Sequence, residues 1–592
     1  MTTVDTSYLN RDLPVDERVE RLLAQMTLEE KAGLLFQTMI SMGPDGELSD
    51  GDSVFGLPSN KEYVAGRLMS HFNVLSAAPT VEAMATWHNR LQELAASTRL
   101  GIPVTISSDP RHSYTDNPLL GVATSTFSVW PEPLGLAAIG DDGLVERFGD
   151  IARREYTAVG IRLALHPQVD LASEPRWSRQ LQTFGEDVDL SSRLGAAYIR
   201  GFQGAALGVG SVATMTKHFP GGGPQLDGED AHFAHGREQV YPGGQFELHL
   251  KPFEAAFAAG TSQVMPYYGM PVGTEYEEVG FGFNKSVITG LLRERYGFDG
   301  VVCTDWGLIT DNDVFGGPFP ARAWGVERLS PRERMVKVLE AGVDQFGGEA
   351  NPDLLVDLVR SGEVSEARLD VSARRLLREK FVLGLFDDQR YVDVDRAVEI
   401  VGNAEFVAAG AAAQRAAVTL LTNTVAEAHP TLPLVRGRRI YVEGVPAEVA
   451  AAYGTVVTDP HEADVAILRL QAPFEERTAT FESLFHAGSL DFPADQVAHV
   501  REIAGAVPTV VDVFLERPAV LTPFADDVAA ITGTFGASPE ALLDVLFGAA
   551  EPQGNLPFDL PSSMDAVRAN RPDVPFDTAD PLFRFGHGLR YS

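Results

Sequence analysis

Short apolar runs alternate with amphipathic segments along the first 383 residues of the chain. The apolar runs predict strands, and the amphipathic segments, with apolar residues three or four positions apart, predict helices. Strands are predicted at 103–106, 161–165, 211–216, 262–266, 300–305 and 343–346, and helices at 80–96, 141–159, 189–203, 245–259, 285–296 and 365–382. Because this alternation is typical of parallel sheets and repeats many times, we expect a (β/α)8-type barrel rather than an open sheet.

The N-terminal hundred residues fit this alternation less well. Apolar positions at helical spacing in residues 14–37 predict one or two amphipathic helices. Residues 42–60 are rich in Gly, Ser and Asp, which indicates a loop. The first strand that the pattern predicts is therefore 103–106.

A second α/β pattern follows residue 402. The periodicity loosens over 384–402, which we interpret as a linker between a barrel catalytic domain, 1–383, and a C-terminal α/β sandwich domain, 403–592. In the second domain we expect helices at 404–415 and 539–548, strands at 417–421, 439–442, 465–470, 509–514 and 528–533, and a turn into a closing strand at 554–558. A chain of 592 residues is also too long for one hydrophobic core.

Charge and composition narrow the class of partner. The chain has 48 basic and 82 acidic residues, a formal net charge of −34, which argues against nucleic acid or an anionic membrane and favours a neutral small molecule. One cysteine excludes an intrachain disulfide, and a homo-oligomer is compatible with the sequence. The N-terminus has neither a basic segment nor an apolar core, so we expect a soluble, cytoplasmic protein.

Polar or ionisable side chains follow each of the six predicted strands of the first domain. They are Asp109, His166 with Asp170, Lys217 with His218, Tyr267 with Tyr268, Asp305, and Asp344. Because the carboxyl ends of barrel strands form one rim, we expect a single concave polar site there. A strand-end Asp can instead cap a helix, and Lys217 and His218 can be internal hydrogen-bonding groups of the barrel. Six such strand ends together favour the site.

Several motifs at these positions resemble family 3 of the glycoside hydrolases. They are Arg176-Trp177-Ser178-Arg179, Thr183-Phe184-Gly185-Glu186-Asp187, Lys217-His218-Phe219-Pro220-Gly221-Gly222-Gly223, Thr304-Asp305-Trp306, Ala341-Gly342-Val343-Asp344 and Gly554-Asn555-Leu556-Pro557-Phe558. They occur in the family's order and cover both predicted domains, so the resemblance is specific.

The resemblance implies a role for individual residues. Asp305 would be the nucleophile that forms a covalent glycosyl-enzyme. The residues that would hold the hydroxyls of the first sugar are Asp109, Arg176, Lys217 and His218. Tyr268, or its neighbour Tyr267, would lie near the nucleophile, and Trp306 would form an apolar wall for a sugar ring or its leaving group. Arg176 could alternatively form a structural ion pair with Glu186.

A retaining mechanism also needs a proton donor, roughly 5 to 5.5 Å from the nucleophile. In two-domain family members it tends to come from a loop of the second domain. The loop after the predicted strand 465–470 offers Glu475 as first choice and Glu476 as second, with Glu482 third. Each could equally be a solvated surface acid.

Asp230 and His232 form a rival pair in the first domain. The Asp-x-His spacing resembles the acid/base dyad of N-acetylglucosaminidase members, but those carry KHFPGHG, whereas Gly222 stands at the corresponding position here. We therefore expect Asp230 and His232 to be loop residues that contact a second sugar. His232 and His235 have metal-ligand spacing, but no HExxH motif or cysteine cluster accompanies them, so we expect neither metal nor cofactor.

The resemblance thus implies a retaining, exo-acting β-glycosidase, in the first place a β-glucosidase, acting on small β-glycosides or oligosaccharides. A transglycosylase would use the same intermediate. A β-N-acetylglucosaminidase or glycoside phosphorylase using Asp230 and His232 is the alternative among enzymes. A non-catalytic sugar-binding protein is the alternative from another class, against which the nucleophile Asp305 argues.

Overall fold

Eight parallel strands form the first sheet of the computed structural model, which describes residues 4–75, 80–115, 126–314, 317–426 and 429–591. In chain order they are β1 Phe36–Ile40, β2 His71–Val74, β3 Thr105–Ser108, β4 Ile161–Ala164, β5 Ala213–Phe219, β6 Gln263–Pro266, β7 Val301–Val302 and β8 Phe346–Gly347. Each strand from β1 to β6 pairs with the next, and β8 pairs with β1. A parallel bridge between Cys303 and Gln345 joins β7 to β8, so the sheet closes into a barrel, and the predicted fold class is confirmed.

Helices surround the barrel, as the pattern predicts. They are Val15–Leu23, Leu28–Leu34, Val81–Ala96, Pro133–Ile139, Asp142–Ala158, Val188–Gln203, Phe246–His249, Lys251–Ala258, Pro331–Ala341, Pro352–Arg360 and Glu366–Val382, with a π-helix at Ser286–Arg295. Several begin at a side-chain cap: Ser330, for example, accepts from the backbone N–H of Glu333 in a capping box. In the described ranges, none of the helices is long and apolar enough to cross a bilayer.

Strands β1 and β2 are absent from the sequence-based prediction. β1 lies partly inside the segment that the periodicity assigned to a helix, 14–37, and β2 was not assigned at all. Both strands carry buried polar residues, such as Gln37 and His71, that interrupt the apolar run by which a barrel strand is recognised. The prediction was therefore wrong in these two places, although the architecture was right.

The second domain contains a mixed six-stranded sheet. Its strands are β9 Thr419–Asn423, β10 Arg439–Glu443, β11 Thr455–Val457, β12 Val465–Gln471, β13 Thr509–Phe514 and β14 Ala530–Thr534, in the order β9-β14-β13-β12-β10-β11. Only the β9–β14 pairing is antiparallel. The helices of this part of the chain are Val394–Ile400, Ala404–Ala417, Ala447–Ala450, Ala494–Ala506, Pro539–Leu546 and Met564–Ala569.

The predicted closing strand at 554–558 is not a strand. Its backbone packs instead against the barrel domain, where Asn555 N donates to Ala138 O at 2.9 Å and Glu186 N donates to Pro557 O at 3.2 Å. The motif thus belongs to the contact between the two domains. Short strand pairs outside the main sheets are Glu238–Val240 with Met270–Val272, Asn312–Val314 with Gly317–Phe319, and Val425–Ala426 with His429–Pro430.

A fully buried arginine fastens the second domain to the barrel. Arg517 donates to the backbone carbonyl of Arg176 in the barrel at 2.7 Å and to that of Pro473 at 2.6 Å. It also reaches the carbonyls of Ala487 and Gly488. These acceptors lie at both ends of the loop 473–488, so Arg517 holds that loop against the rim of the barrel.

Candidate active site

A cavity of about 840 Å³ opens at the carboxyl ends of the barrel strands. Its volume is near the upper end of the roughly 300–1,000 Å³ found for small-molecule sites. Most of its wall comes from the barrel, and Phe481 of the second domain completes it. The residues selected from the sequence that line it are Asp109, Lys217, His218, His232, Tyr268, Asp305 and Trp306.

Asp305 lies just beyond the end of β7, with a buried side chain. Its Oδ1 accepts from the backbone N–H of Trp306 at 2.8 Å, and its Oδ2 lies 3.9 Å from Nε2 of His218. Tyr268 donates its hydroxyl to the Trp306 carbonyl at 2.7 Å. Burial raises the pKa of Tyr268 well above its usual value, and the nearby Asp305 carboxylate adds to this effect. The carboxylate is therefore fixed in orientation on the cavity wall.

A buried carboxylate fixes the ring of His218. Asp170 Oδ2 lies 2.8 Å from Nδ1 of His218, and Oδ1 accepts from the backbone N–H groups of His218 and Gly222. Burial lowers the pKa of His218, although Asp170 opposes the effect. The acceptor at Nδ1 implies a proton on that nitrogen, which leaves Nε2 as an acceptor facing the Asp305 side of the cavity.

Lys217 and Asp109 form an ion pair on the same wall. Lys217 Nζ donates to Asp109 Oδ1 at 3.1 Å, and Asn73 donates to Oδ2 at 3.1 Å. All three residues line the cavity, and they come from β5, from the segment after β3, and from β2. Together they offer charged donors and acceptors in fixed positions, which is the chemistry that recognises a polyol.

Arg176 is the predicted sugar-binding residue that the structure does not bring to the cavity. It donates to Glu174 at 2.8 Å and to Asp227 at 3.3 Å and is not among the described lining residues, so the placement predicted from the motif is corrected. The alternative partner Glu186 instead accepts from the backbone N–H groups of Asp559 and Phe576. Arg179, three positions later in the same motif, lines the cavity.

Asp230 and His232 form a close pair at the cavity. Asp230 Oδ1 lies 2.6 Å from Nδ1 of His232, and Oδ2 accepts from Trp177 Nε1 at 3.0 Å and from the Tyr267 hydroxyl at 3.1 Å. His232 itself lines the cavity. Burial lowers the pKa of His232, while the carboxylates of Asp230 and Asp305 act in the opposite direction. The pair has the arrangement of an acid/base dyad.

The three glutamates of the second domain lie outside the lining. Glu475 and Glu476 are exposed, and Glu475 Oε1 accepts from the Ser489 backbone N–H at 3.2 Å. Glu482 is half-buried and lies 3.4 Å from Nε2 of His235 and 3.7 Å from Nη1 of Arg477. The side chain of this loop that does line the cavity is Phe481.

Other lining residues carry no motif that sequence reasoning could use. Glu349 is buried, accepts from the backbone N–H groups of Ile309 and Thr310, and has its pKa raised by burial to about 7. Phe319, at the end of the short strand Gly317–Phe319, and Arg322, three residues later, come from the segment after β7. Asp344, placed at the rim by the sequence, is paired with Arg293 and Arg375 near the start of β8. Among the described residues, no group of three His, Cys, Asp or Glu could hold a metal ion.

Comparison with known proteins places this geometry in context. Residues 62–379 match the family model described as "Glycosyl hydrolase family 3 N terminal domain". Residues 403–591 match the family model described as "Glycosyl hydrolase family 3 C-terminal domain". "Beta-glucosidase C" of Emericella nidulans is 52% identical over 589 residues, 99% of this chain and 94% of that protein. "Periplasmic beta-glucosidase/beta-xylosidase" of Dickeya chrysanthemi is 42% identical over 603 residues, 98% and 91%. The solved structure of a β-glucosidase from Erythrobacter marinus has the same fold, with a TM-score of 0.81 at 22% identity over 100% of this chain and 84% of that one.

Proposed function

We propose, since the chain belongs to glycosyl hydrolase family 3, that it is a retaining, exo-acting β-glucosidase with Asp305 as nucleophile. The family resemblance expected from the motifs, and with it the class of enzyme, is confirmed by both family matches and by relatives over nearly the full length. The observation that carries the proposal is the buried Asp305 carboxylate in a cavity it shares with Lys217, Asp109 and His218.

In the first step Asp305 attacks the anomeric carbon. A bond forms between a carboxylate oxygen and C1, the glycosidic C1–O bond breaks, and a proton passes to the leaving oxygen. In the second step water displaces Asp305 after giving a proton to the same acid/base group, so the anomeric configuration is retained. Transfer to a sugar hydroxyl instead of water would make the enzyme a transglycosylase.

The ion pair of Lys217 and Asp109 supports action on the terminal sugar. Its charged groups, with His218, can hold several hydroxyls of one ring and so fix C1 against Asp305. Such a cluster of charged groups suits a single chain end better than the middle of a polymer. Glucose as the sugar is proposed from the names of the relatives.

We propose His232, held by Asp230, as the proton donor. The proposal departs from the sequence-based preference for Glu475, because His232 lines the cavity while Glu475, Glu476 and Glu482 do not. Asp230 fixes the ring through Nδ1, which leaves Nε2 to exchange the proton.

The dyad also supports a second candidate function, a β-N-acetylglucosaminidase or phosphorylase. The two are separated by measuring hydrolysis of aryl β-glucoside, β-xyloside and β-N-acetylglucosaminide, and phosphorolysis with inorganic phosphate. A β-glucosidase gives the highest kcat/KM with the glucoside and no dependence on phosphate. No turnover of any of them would contradict the proposal and favour a sugar-binding protein.

The proton donor is tested with four variants, His232→Ala, Glu475→Gln, Glu476→Gln and Glu482→Gln. Loss of the acid should spare a substrate with an activated leaving group such as 2,4-dinitrophenol, and azide should restore turnover as a glucosyl azide. We expect this behaviour only for His232→Ala. Azide rescue of one of the glutamate variants would move the role to that residue.

We also propose that the protein acts in the cytoplasm, and the single cysteine, which allows no intrachain disulfide, supports this proposal. Fractionation of cells that produce the protein from its natural gene, followed by an assay of aryl β-glucosidase activity, tests this. Activity in the soluble cell fraction would support the proposal, and activity outside the cells would contradict it.

A further inference from the structure

Arg322 is a buried arginine whose guanidinium has no hydrogen-bond or ion-pair partner among the described residues. It is 4% exposed and lines the cavity. Other arginines in the same wall are partnered: Arg67 donates to Glu62 and to the Ala350 carbonyl, and Arg179 donates to Gln168. Arg322 is therefore an exception to the rule that buried polar groups are paired.

Aromatic rings hold the guanidinium in place. Its central carbon lies 3.3 Å from the centroid of Phe319, 5.6 Å from that of Tyr268 and 6.0 Å from that of Phe481. A Cβ atom at Gly307, two residues after Asp305, would lie 2.6 Å from Nη1. The arginine is thus fixed beside the nucleophile segment, at the side of the cavity that the second domain closes.

A second unpaired donor lies on the same segment. The indole N–H of Trp306 is buried and has no partner in the part of the chain that the structure describes. An unpaired buried donor is costly, and the cost is larger for a charged group. The buried Arg322 Nε and the indole N–H are closed to a ligand, but the two Nη groups of Arg322 are not among the enclosed atoms and have no acceptor among the described residues, so a ligand in the cavity can supply their acceptors.

The charge of the cavity identifies the kind of acceptor. Four lining residues are acidic, Asp109, Asp305, Asp311 and Glu349, and four are basic, Arg67, Arg179, Lys217 and Arg322. With no excess of positive charge, and with the Asp305 carboxylate close by, an anionic ligand is disfavoured. Neutral hydroxyl groups next to aromatic faces fit both the donors and the rings, and this combination is the chemistry of a sugar.

We propose that Arg322 determines specificity for the leaving group, by donating hydrogen bonds to hydroxyls of a second sugar unit. The enzyme would then prefer β-linked disaccharides and longer oligosaccharides to aryl or alkyl β-glucosides. This inference rests on the proposed function, because it takes the first sugar to lie between Asp305 and Lys217. The competing explanation is that Arg322 only stabilises the charge of Asp305, which would affect all substrates alike.

The experiment compares kcat/KM for a panel of β-linked glucose disaccharides and for 4-nitrophenyl β-glucoside in the wild type, Arg322→Met and Arg322→Lys. Met keeps an apolar chain against Phe319 but removes every donor, whereas Lys keeps the charge and loses the fork of donors. For Arg322→Met we expect a loss of about 10- to 100-fold with the best disaccharide, the range for hydrogen bonds from a charged group, and less than about threefold with the aryl glucoside. The matched control is Arg332→Met, which removes a partly exposed arginine that is paired with Glu363 and does not line the cavity.

Equal losses of kcat/KM with both substrates would overturn the inference and support the electrostatic explanation. Unchanged kcat/KM with both substrates in Arg322→Met would also overturn the inference. If the wild type itself fails to hydrolyse any glucoside, the result contradicts the proposed function as well as this inference. Melting temperature and inhibition by glucose report whether each variant keeps its fold and its first sugar site.

A second measurement tests how Arg322 affects binding of an acceptor sugar, without any leaving group in the reaction. An enzyme inactivated by a 2-deoxy-2-fluoro-glucoside regains activity when an acceptor sugar takes up the trapped glucosyl group. In Arg322→Met, reactivation by a glucoside acceptor should slow about tenfold or more, while reactivation by water alone stays unchanged. Equal slowing of both, or of neither, would contradict the role of Arg322.

Discussion

The ring of Phe481, in the second domain, lies with its centroid 4.3 Å from that of Phe319 in the barrel. Phe319 in turn stacks on Arg322, so a residue of the second domain completes a wall built around the nucleophile segment. The loop that carries Phe481 is held in place by Arg517, which bonds to carbonyls of both domains. The active cavity therefore depends on docking of the two domains.

Replacing Phe481 with Ala should open this wall. We expect kcat/KM for disaccharides to fall about 2- to 10-fold through loss of one aromatic contact, which is worth about 0.5 to 1.5 kcal/mol. The melting temperature should change little, because the side chain is only half-buried. Phe585→Ala, at an exposed phenylalanine of the same domain, is the control. Equal kinetics for both variants would show that the second domain does not form the site.

Asp170 should act on catalysis through His218. Asn at this position cannot accept from His218 Nδ1 and from two backbone N–H groups at once, so the ring loses its fixed orientation. We expect kcat/KM to fall about 10- to 100-fold, the range for charge-assisted hydrogen bonds. Asp344→Asn, at a buried acid near the start of β8, should destabilise the protein but leave kcat/KM of the folded enzyme unchanged. The same kinetic loss in both variants would point to a general effect on folding.

The dependence of rate on pH should report the state of His232. In the proposed mechanism His232 must be protonated in the first step, and burial lowers its pKa below the ordinary 6.5. The rate therefore falls as pH rises through that lowered pKa. The midpoint of the alkaline limb of the pH–rate profile should accordingly lie below about pH 6.5. Asp230→Asn removes a carboxylate that raises the pKa of His232, so the limb should shift to lower pH. A limb that stays in place in Asp230→Asn but moves in Glu482→Gln would transfer the role to Glu482.

Stability should also fall on acidification, for a reason separate from catalysis. His88 is buried, contacts the Arg390 carbonyl through Nε2 at 3.1 Å, and has its pKa lowered by burial to about 4. Between pH 6.5 and about 4, His88 is protonated in the unfolded chain but stays neutral in the folded chain. This difference lowers the free energy of unfolding by up to about 3 kcal/mol. The stability present above the unfolded pKa is thus lost as pH falls.

This loss is measured by comparing melting temperatures at pH 7.5 and 4.5 in the wild type and His88→Gln. The variant cannot take up the proton, so its melting temperature should decrease less on acidification than that of the wild type. His461→Gln, at an exposed histidine of the second domain, serves as the control. Equal decreases in the wild type and His88→Gln would contradict the assignment.

The sequence was sufficient for the architecture and for several polar residues at the strand ends that line the cavity, for physical reasons. Strand β7 is apolar because both of its faces are buried, and the carboxyl ends of the parallel barrel strands necessarily meet at one rim. That is why Lys217, His218 and Asp305 were found together. Strands β1 and β2 were not predicted because buried polar residues interrupt their apolar pattern.

Contacts that depend on tertiary structure could not be predicted in this way. Arg176 and Arg179 are three residues apart in one motif, and only the fold directs Arg176 to Glu174 and Arg179 to the cavity. Phe481 and Arg322 come from segments without periodicity, and their meeting requires both domains to be docked. A loop glutamate likewise cannot be assigned as a proton donor before the path of its loop is known.

The central claim, that Asp305 forms a covalent bond with the sugar, is tested most directly by mass spectrometry. The enzyme is incubated with 2,4-dinitrophenyl 2-deoxy-2-fluoro-β-glucoside, digested with protease, and compared with Asp305→Asn treated in the same way. We predict one added fluoroglucosyl group per chain, on the peptide that contains Asp305, and no addition in the variant. A label on another carboxylate, or an unlabelled enzyme that still hydrolyses aryl β-glucosides, would contradict the mechanism proposed for this protein.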